Sequence, residues 1–231
     1  TFAQNHDQVG NRALGERLSS LVPFEALKLA AALVLLGPNL PLIFMGEEYG
    51  EKAPFLYFTS FLDERLGELV SRGRLEEFAA FGWQEIPDPQ APETFERSRP
   101  DWSARLVGDH ARLLSLYRRL IELRASSPAL ARCRSHFEAA SYPEERLLVV
   151  ERSRGEDSFL LLASFNPQPA TPRLALPRGL WRCVLDTSWE QFGGREPAWA
   201  LNSVLVESEP VMLRFNPYSA LLYARSPAEI G

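Results

Sequence analysis

Two periodicities divide the chain. Up to about residue 130 the apolar positions fall at helical spacing or in short continuous blocks. From about Cys133 they sit in short β-rich runs. Pro23 to Leu36 is apolar apart from Glu25 and Lys28. It begins on a proline suited to the first helical position and stops at Gly37-Pro38, which predicts a well-buried helix. The block LPLIFMG, residues 40–46, lies between proline and glycine and predicts a short strand buried on both faces, as in a parallel sheet covered by helices. A proline-rich irregular region, 51–105, holds an amphipathic helix near 62–81. A further helix is predicted over 109–124. There Leu113, Leu116, Tyr117, Leu120 and Ile121 fall at helical spacing, with Arg112, Arg118, Arg119 and Glu122 elsewhere. Beyond it, RLLVVER, SFLLLASF, RCVLDT, SVLVE, VMLRF and ALLYAR are separated by the turn signals SRGED, NPQP, PRG and NPYS, the signature of an antiparallel sandwich.

The expected architecture is therefore α/β followed by all-β, with one domain over 1–130 and a second over 131–231. Helix, buried strand, then the polar loop EEYGEKAP is the rhythm of a (β/α) fold. In a barrel of that kind chemistry gathers at the C-terminal ends of the strands. Composition narrows the classes further. The formal net charge of −5 over 231 residues argues against nucleic acid or an anionic membrane as partner. The longest apolar run, ALKLAAALVLLG, is too short to span a bilayer and carries Lys28. No basic segment followed by an apolar one opens the chain, so no signal peptide is expected and the location is read as cytoplasmic. Cys133 and Cys183 have no metal-ligand spacing and are read as two buried thiols.

The candidate chemistry begins in FAQNHDQVGNR, residues 2–12. Asn5, His6, Asp7, Gln8 and Asn11 gather amides, an imidazole and one acid, with Arg12 beside them. Such a cluster suits a neutral ligand covered in hydroxyls and suits phosphate poorly. A metal is not expected, because His110 and His136 stand at no ligand spacing to His6 and Asp7. No GxSxG nucleophile motif is present. Glu47 and Glu48 are adjacent acids, by default solvated loop charge, of which at most one can face a site. In APFLYFTSF, 53–61, the aromatics form either a platform for sugar rings or a core beneath the loop. Trp181, Trp189 and Trp199 read as core ahead of a sugar platform.

FAQNHDQVGNR resembles the last short signature region of the α-amylase-type glycoside hydrolases, where a segment ending in HD follows the seventh barrel strand. Together with PLIFMGEEYG, PFLYFTSF, DPQAPETFERS and LYRRLIELRASSPAL, the extended pattern is similar to the maltooligosyltrehalose trehalohydrolase branch of that superfamily. The resemblance implies the C-terminal part of a (β/α)8 barrel followed by an antiparallel β-sandwich. It further implies retaining hydrolysis of the α-1,4 glucosidic bond next to a terminal trehalose, with no cofactor. Retaining enzymes use two carboxyl groups about 5–5.5 Å apart, and a third acid in this superfamily holds the distorted sugar. Asp7 matches that third acid, a transition-state stabiliser, and His6 the neighbouring sugar-binding imidazole. Asn5, Gln8, Asn11 and Arg12 fall in the longer trehalohydrolase pattern as substrate-binding positions. Glu47 and Tyr57 are expected on the trehalose side.

The nucleophile and the acid/base belong to earlier strands of the family and are absent from these residues. The chain is accordingly expected to be a C-terminal portion, inactive alone, whose partners are the missing barrel portion, maltooligosyltrehalose and trehalose. Two rivals share part of the pattern. One is another α-glucan enzyme, such as a branching or debranching enzyme; the other is a non-catalytic carbohydrate-binding portion.

Overall fold

The computed structural model describes residues 1–83, 85–133, 135–194, 197–208 and 210–226; the far end of the 131–231 expectation, 227–231, lies outside them. Its first part is helical: α1 (His6–Gly10), α2 (Leu18–Leu21), α3 (Phe24–Leu36), α4 (Glu64–Ala79), α5 (Pro92–Arg97), α6 (Gly108–Ser126) and α7 (Pro128–Ala131). Strands follow: β1 (His136–Tyr142), β2 (Leu147–Arg154), β3 (Asp157–Ser164), β4 (Arg173–Leu174), β5 (Gly179–Asp186), β6 (Ser203–Val206), β7 (Val211–Met212) and β8 (Ala220–Arg225). Six of them form one sheet in the order β1-β2-β3-β8-β5-β6, and β4 pairs with β7 in a second. All these pairs are antiparallel. The fold is the helical end of a barrel carried into an antiparallel β-sandwich.

Period-two alternation sorts the strand side chains between two cores. On β3, Leu161 and Ala163 point to the helices, whereas Leu160 and Leu162 point to the small sheet. On β8, Ala220 and Leu222 take the first direction and Leu221 and Tyr223 the second. The helix-side core joins Leu29, Ala32 and Leu36 of α3 to Leu113, Leu116, Leu120 and Leu123 of α6, so helices and sheet share one apolar interior. The other core packs Leu174, Leu213 and Phe215 against Trp181. Trp181 is thus core, as expected; Trp189 stacks with Phe192 and Trp199 carries the Arg214 guanidinium.

Two arginines lock the end of α3, where the last carbonyls lack intrahelical partners. Arg124 of α6 donates to Leu35 O at 2.6 Å, Gly37 O at 3.1 Å and Asn39 O at 2.9 Å. Arg152 of β2 donates to Leu36 O at 3.0 Å, Gly37 O at 2.9 Å and Arg132 O at 3.0 Å. Burial, with Arg124 adding repulsion, lowers Arg152 to about 10, which leaves it charged at neutral pH. The β-strands are thereby bolted to the helix that precedes the loop at 47–61.

Four local expectations are corrected. Pro23 stands one residue before α3, as its N-cap. Ile121 is exposed, because α6 buries only the narrower face of Leu113, Leu116, Tyr117, Leu120 and Leu123. Cys133 is exposed and Cys183 half-buried, both free, and burial followed by the Asp186 charge pushes the Cys183 thiol up to about 12. Residues 40–44 form no strand. The Leu42 N–H reaches Thr1 O at 2.9 Å, and the Thr1 amino group donates to Leu40 O. Leu40, Leu42, Ile43 and Met45 stay exposed, and Phe44 turns inward. A strand meant for burial on two faces needs a neighbour on each side; among the described residues this segment has only the Thr1 end.

Candidate functional site

The helix α1 presents the cluster. Asn5 caps it, its Oδ1 accepting the Gln8 N–H at 2.8 Å, which satisfies one of the free donors of the first turn. Val9 and Gly10 on the inner face are buried. The remaining side chains therefore face outward. His6 Nε2 lies 3.2 Å from Asp7 Oδ1, with the two side chains 71% and 72% exposed. Gln8 and Asn11 are exposed as well; Arg12 is half-buried and donates to Glu16 O at 2.5 Å. The Asn11 N–H closes the helix on Asp7 O at 3.1 Å. A capped five-residue helix thus holds an imidazole and a carboxylate toward solvent, where hydroxyl groups of a ligand can reach both.

The platform rests on the loop after α3. Gly15 adopts φ +60°, and a Cβ there would meet Phe55 O at 2.5 Å; the Phe55 N–H donates back to Gly15 O at 2.8 Å. Phe55 stacks edge-on against Phe44 (5.3 Å) and Phe58 (5.7 Å), and Phe58 against Phe95 (5.3 Å). The aromatics of 53–61 thus divide. Phe55 and Phe58 are half-buried and pack against each other under the loop beside the buried Leu56, while Tyr57 and Phe61 remain exposed, Tyr57 beneath the guanidinium of Arg74.

The acids at 47–51 are used internally. Glu47, 7% exposed, accepts the Tyr117 hydroxyl at 2.9 Å and the Phe44 N–H at 3.3 Å. Burial raises its carboxyl above the ordinary 4.5, opposed by these hydrogen bonds. Tyr117 is raised well above its ordinary value by burial and then by Glu47. Glu51 accepts the Tyr49 hydroxyl and the N–H groups of Lys52, Ala53 and Asp101. Arg17, 1% exposed, donates to Ala53 O and Met45 O at 2.7 Å each and lies over the Phe44 ring. Burial lowers Arg17, with Glu51 the chief opposing charge. Glu47 therefore turns inward, away from the surface where Asp7 stands; Glu48 is half-buried.

Arg17, Arg74 and Tyr117 support this arrangement through groups far along the chain, a part that the sequence does not reveal. Tyr117 shows in the sequence only as an apolar position of the 109–124 helix. No group of three or more His, Cys, Asp or Glu side chains suited to a metal forms among the described residues, and no described helix is long and apolar enough to cross a membrane.

The fold is similar to that of a solved α-amylase-type protein. A Salmonella typhimurium protein described as a candidate alpha amylase superposes with a TM-score of 0.75 and 32% identity, over 97% of this chain and 35% of its own. The sequence resembles the malto-oligosyltrehalose trehalohydrolases. The Rhizobium sp. protein of that name is 55% identical over 132 residues, 56% of this chain and 22% of the relative. The Mycobacterium tuberculosis protein is 44% identical over 157 residues, 67% of this chain and 27% of the relative. The chain spans about a quarter of the length of these curated relatives. No family profile matches it.

Proposed function

We propose that this chain is part of a retaining glycoside hydrolase that cleaves the α-1,4 glucosidic bond next to the terminal trehalose of maltooligosyltrehalose and releases trehalose. The carrying observation is the outward presentation of His6 and Asp7 on a helix whose inner face is buried, within a sequence that resembles trehalohydrolases. As positive charge develops at the anomeric carbon, the Asp7 carboxylate favours the oxocarbenium-like state over the ground state. His6 donates to or accepts from a hydroxyl of the same sugar. Gln8, Asn11 and Arg12 contact the neighbouring hydroxyls, and Asn5 contributes by capping the helix that bears them.

Tyr57 stands on the trehalose side, and Glu47 serves it indirectly by holding the loop from below. The nucleophile and the acid/base come from the remainder of the longer enzyme, so the isolated chain is inactive. In this reading 1–130 carries the site and 131–231 buttresses it. Two free thiols agree with a reducing, cytoplasmic location. No cofactor enters the reaction.

Product analysis of the longer enzyme on maltotriosyltrehalose tests the reading. Free trehalose is the expected product. A new 1,6 branch would identify the branching alternative. Binding of amylose by 131–231 without hydrolysis by the enzyme would identify a carbohydrate-binding portion.

A further inference from the structure

Arg74 sits on α4, a helix that buries only Gly67 and whose other charged side chains, such as the exposed Arg72–Glu76 pair, face water. Its own guanidinium does not. Nη2 donates to Gly10 O at 2.6 Å and to Arg12 O at 3.4 Å, while the guanidinium carbon lies 4.4 Å from the centre of the Tyr57 ring and 4.9 Å from that of Phe78. The Gly10 carbonyl ends α1, where the helix has no further N–H group of its own to satisfy it; the Arg12 carbonyl, two residues on, also accepts the Gly15 N–H at 3.3 Å. Asn5 and Val9 anchor the front and underside of α1. Arg74 anchors its exit. The same planar group covers Tyr57, so one side chain registers the Asp7 platform against the exposed aromatic of the neighbouring loop.

We infer that Arg74 is the positioning residue that sets Asp7 relative to Tyr57, and thereby the distance between transition-state stabilisation and recognition of the leaving sugar. The inference rests on the function proposed above. A guanidinium performs this role because it donates to backbone carbonyls while its charge lies over both rings. A lysine ammonium keeps the charge but cannot bridge two carbonyls and stack as well. Displacement of a catalytic group by about 1 Å can cost on the order of a hundredfold in rate, so the effect belongs in turnover.

The test compares Arg74→Ala and Arg74→Lys with the parent in the longer enzyme, using turnover and KM on maltotriosyltrehalose, melting temperature, and amide exchange over residues 6–12. For Arg74→Ala the expected result is a fall in kcat of about tenfold or more, with KM within about threefold. Exchange should quicken at 6–12 alone, with a melting temperature within about 2 °C of the parent. Arg74→Lys should recover part of the rate. Turnover within about twofold of the parent would overturn the inference. So would loss of melting temperature and of protection throughout the molecule in both variants, which would make Arg74 merely structural. If the parent itself releases no trehalose, the functional reading fails. Exchange then decides for Arg74: unchanged protection over 6–12 in Arg74→Ala overturns it.

Discussion

Two acid-bearing loops lie close together in this molecule and use the same chemical groups in opposite ways. In α1 the side chains of His6 and Asp7 pair with each other and face solvent. At 46–53, Glu47 and Glu51 accept hydrogen bonds from Tyr117, Phe44, Tyr49, Lys52, Ala53 and Asp101, and Arg17 reaches two carbonyls. A carboxylate whose lone pairs are filled by its own protein holds a loop in shape. One whose neighbours are fixed while its oxygens stay open is available to a ligand. The first kind is read out as stability and the second as turnover, which makes the two loops separable by experiment.

The largest expected effect is at Asp7. Asp7→Asn in the longer enzyme keeps size and removes the charge. Glycosidase contacts that strengthen in the transition state supply several kcal/mol, so turnover should fall by roughly a thousandfold, with substrate affinity and melting temperature largely kept. A folded variant that retains more than about a tenth of parental turnover contradicts the role.

At Glu47 the order reverses. Glu47→Gln turns an amide N–H₂ toward either the Tyr117 hydroxyl or the Phe44 N–H, and a buried donor left without an acceptor costs about 1–3 kcal/mol. Stability should drop by that amount while turnover of the folded fraction changes little; the reverse pattern would return Glu47 to the site. The pH dependence has a definite sign. Burial raises the folded carboxyl above its ordinary 4.5, so the folded state binds the proton more tightly than the unfolded state. The contribution is fully present below the ordinary value and is lost as pH rises through the raised one. The advantage of parent over Glu47→Gln should therefore shrink across that window and level off above it. Melting temperatures of both proteins from acid to neutral pH check this.

The smallest effect is expected at Tyr57, which is exposed but not charged. Tyr57→Ala should lower the preference for trehalose-ended substrate over plain maltooligosaccharide by several-fold, about the 1–3 kcal/mol range of an apolar contact or less. An unchanged ratio of the two kcat/KM values would remove Tyr57 from the leaving-group side.

Much of the fold was legible because it is local. Pro23 with Gly37-Pro38 bounds α3, and the spacing of Leu113, Leu116 and Leu120 marks α6. The apolar run SFLLLASF marks a strand, which the structure buries against a core on each face. The polar grouping at 5–12 was visible for the same reason. What escaped depends on partners distant in sequence. The inward turn of Glu47 is decided by Tyr117, 70 residues away, and the register of α1 by Arg74, 64 residues from Gly10. The block 40–46 has the composition of a buried strand, but composition does not provide the neighbouring strands that bury it. Nothing in the sequence around Asn5 separates a helix cap from a sugar ligand, since one carboxamide suits both.

The most direct test of the account is a crystal structure of the longer enzyme, with its nucleophile disabled, bound to maltotriosyltrehalose. Asp7 carboxylate oxygens are expected within about 2.6–3.2 Å of hydroxyls on the sugar at the scissile bond. Glu47 should still be bonded to Tyr117 and touch no sugar. A bound substrate with Asp7 farther than about 3.5 Å from every sugar oxygen, or with Glu47 turned out to grip it, would contradict the division between the two loops.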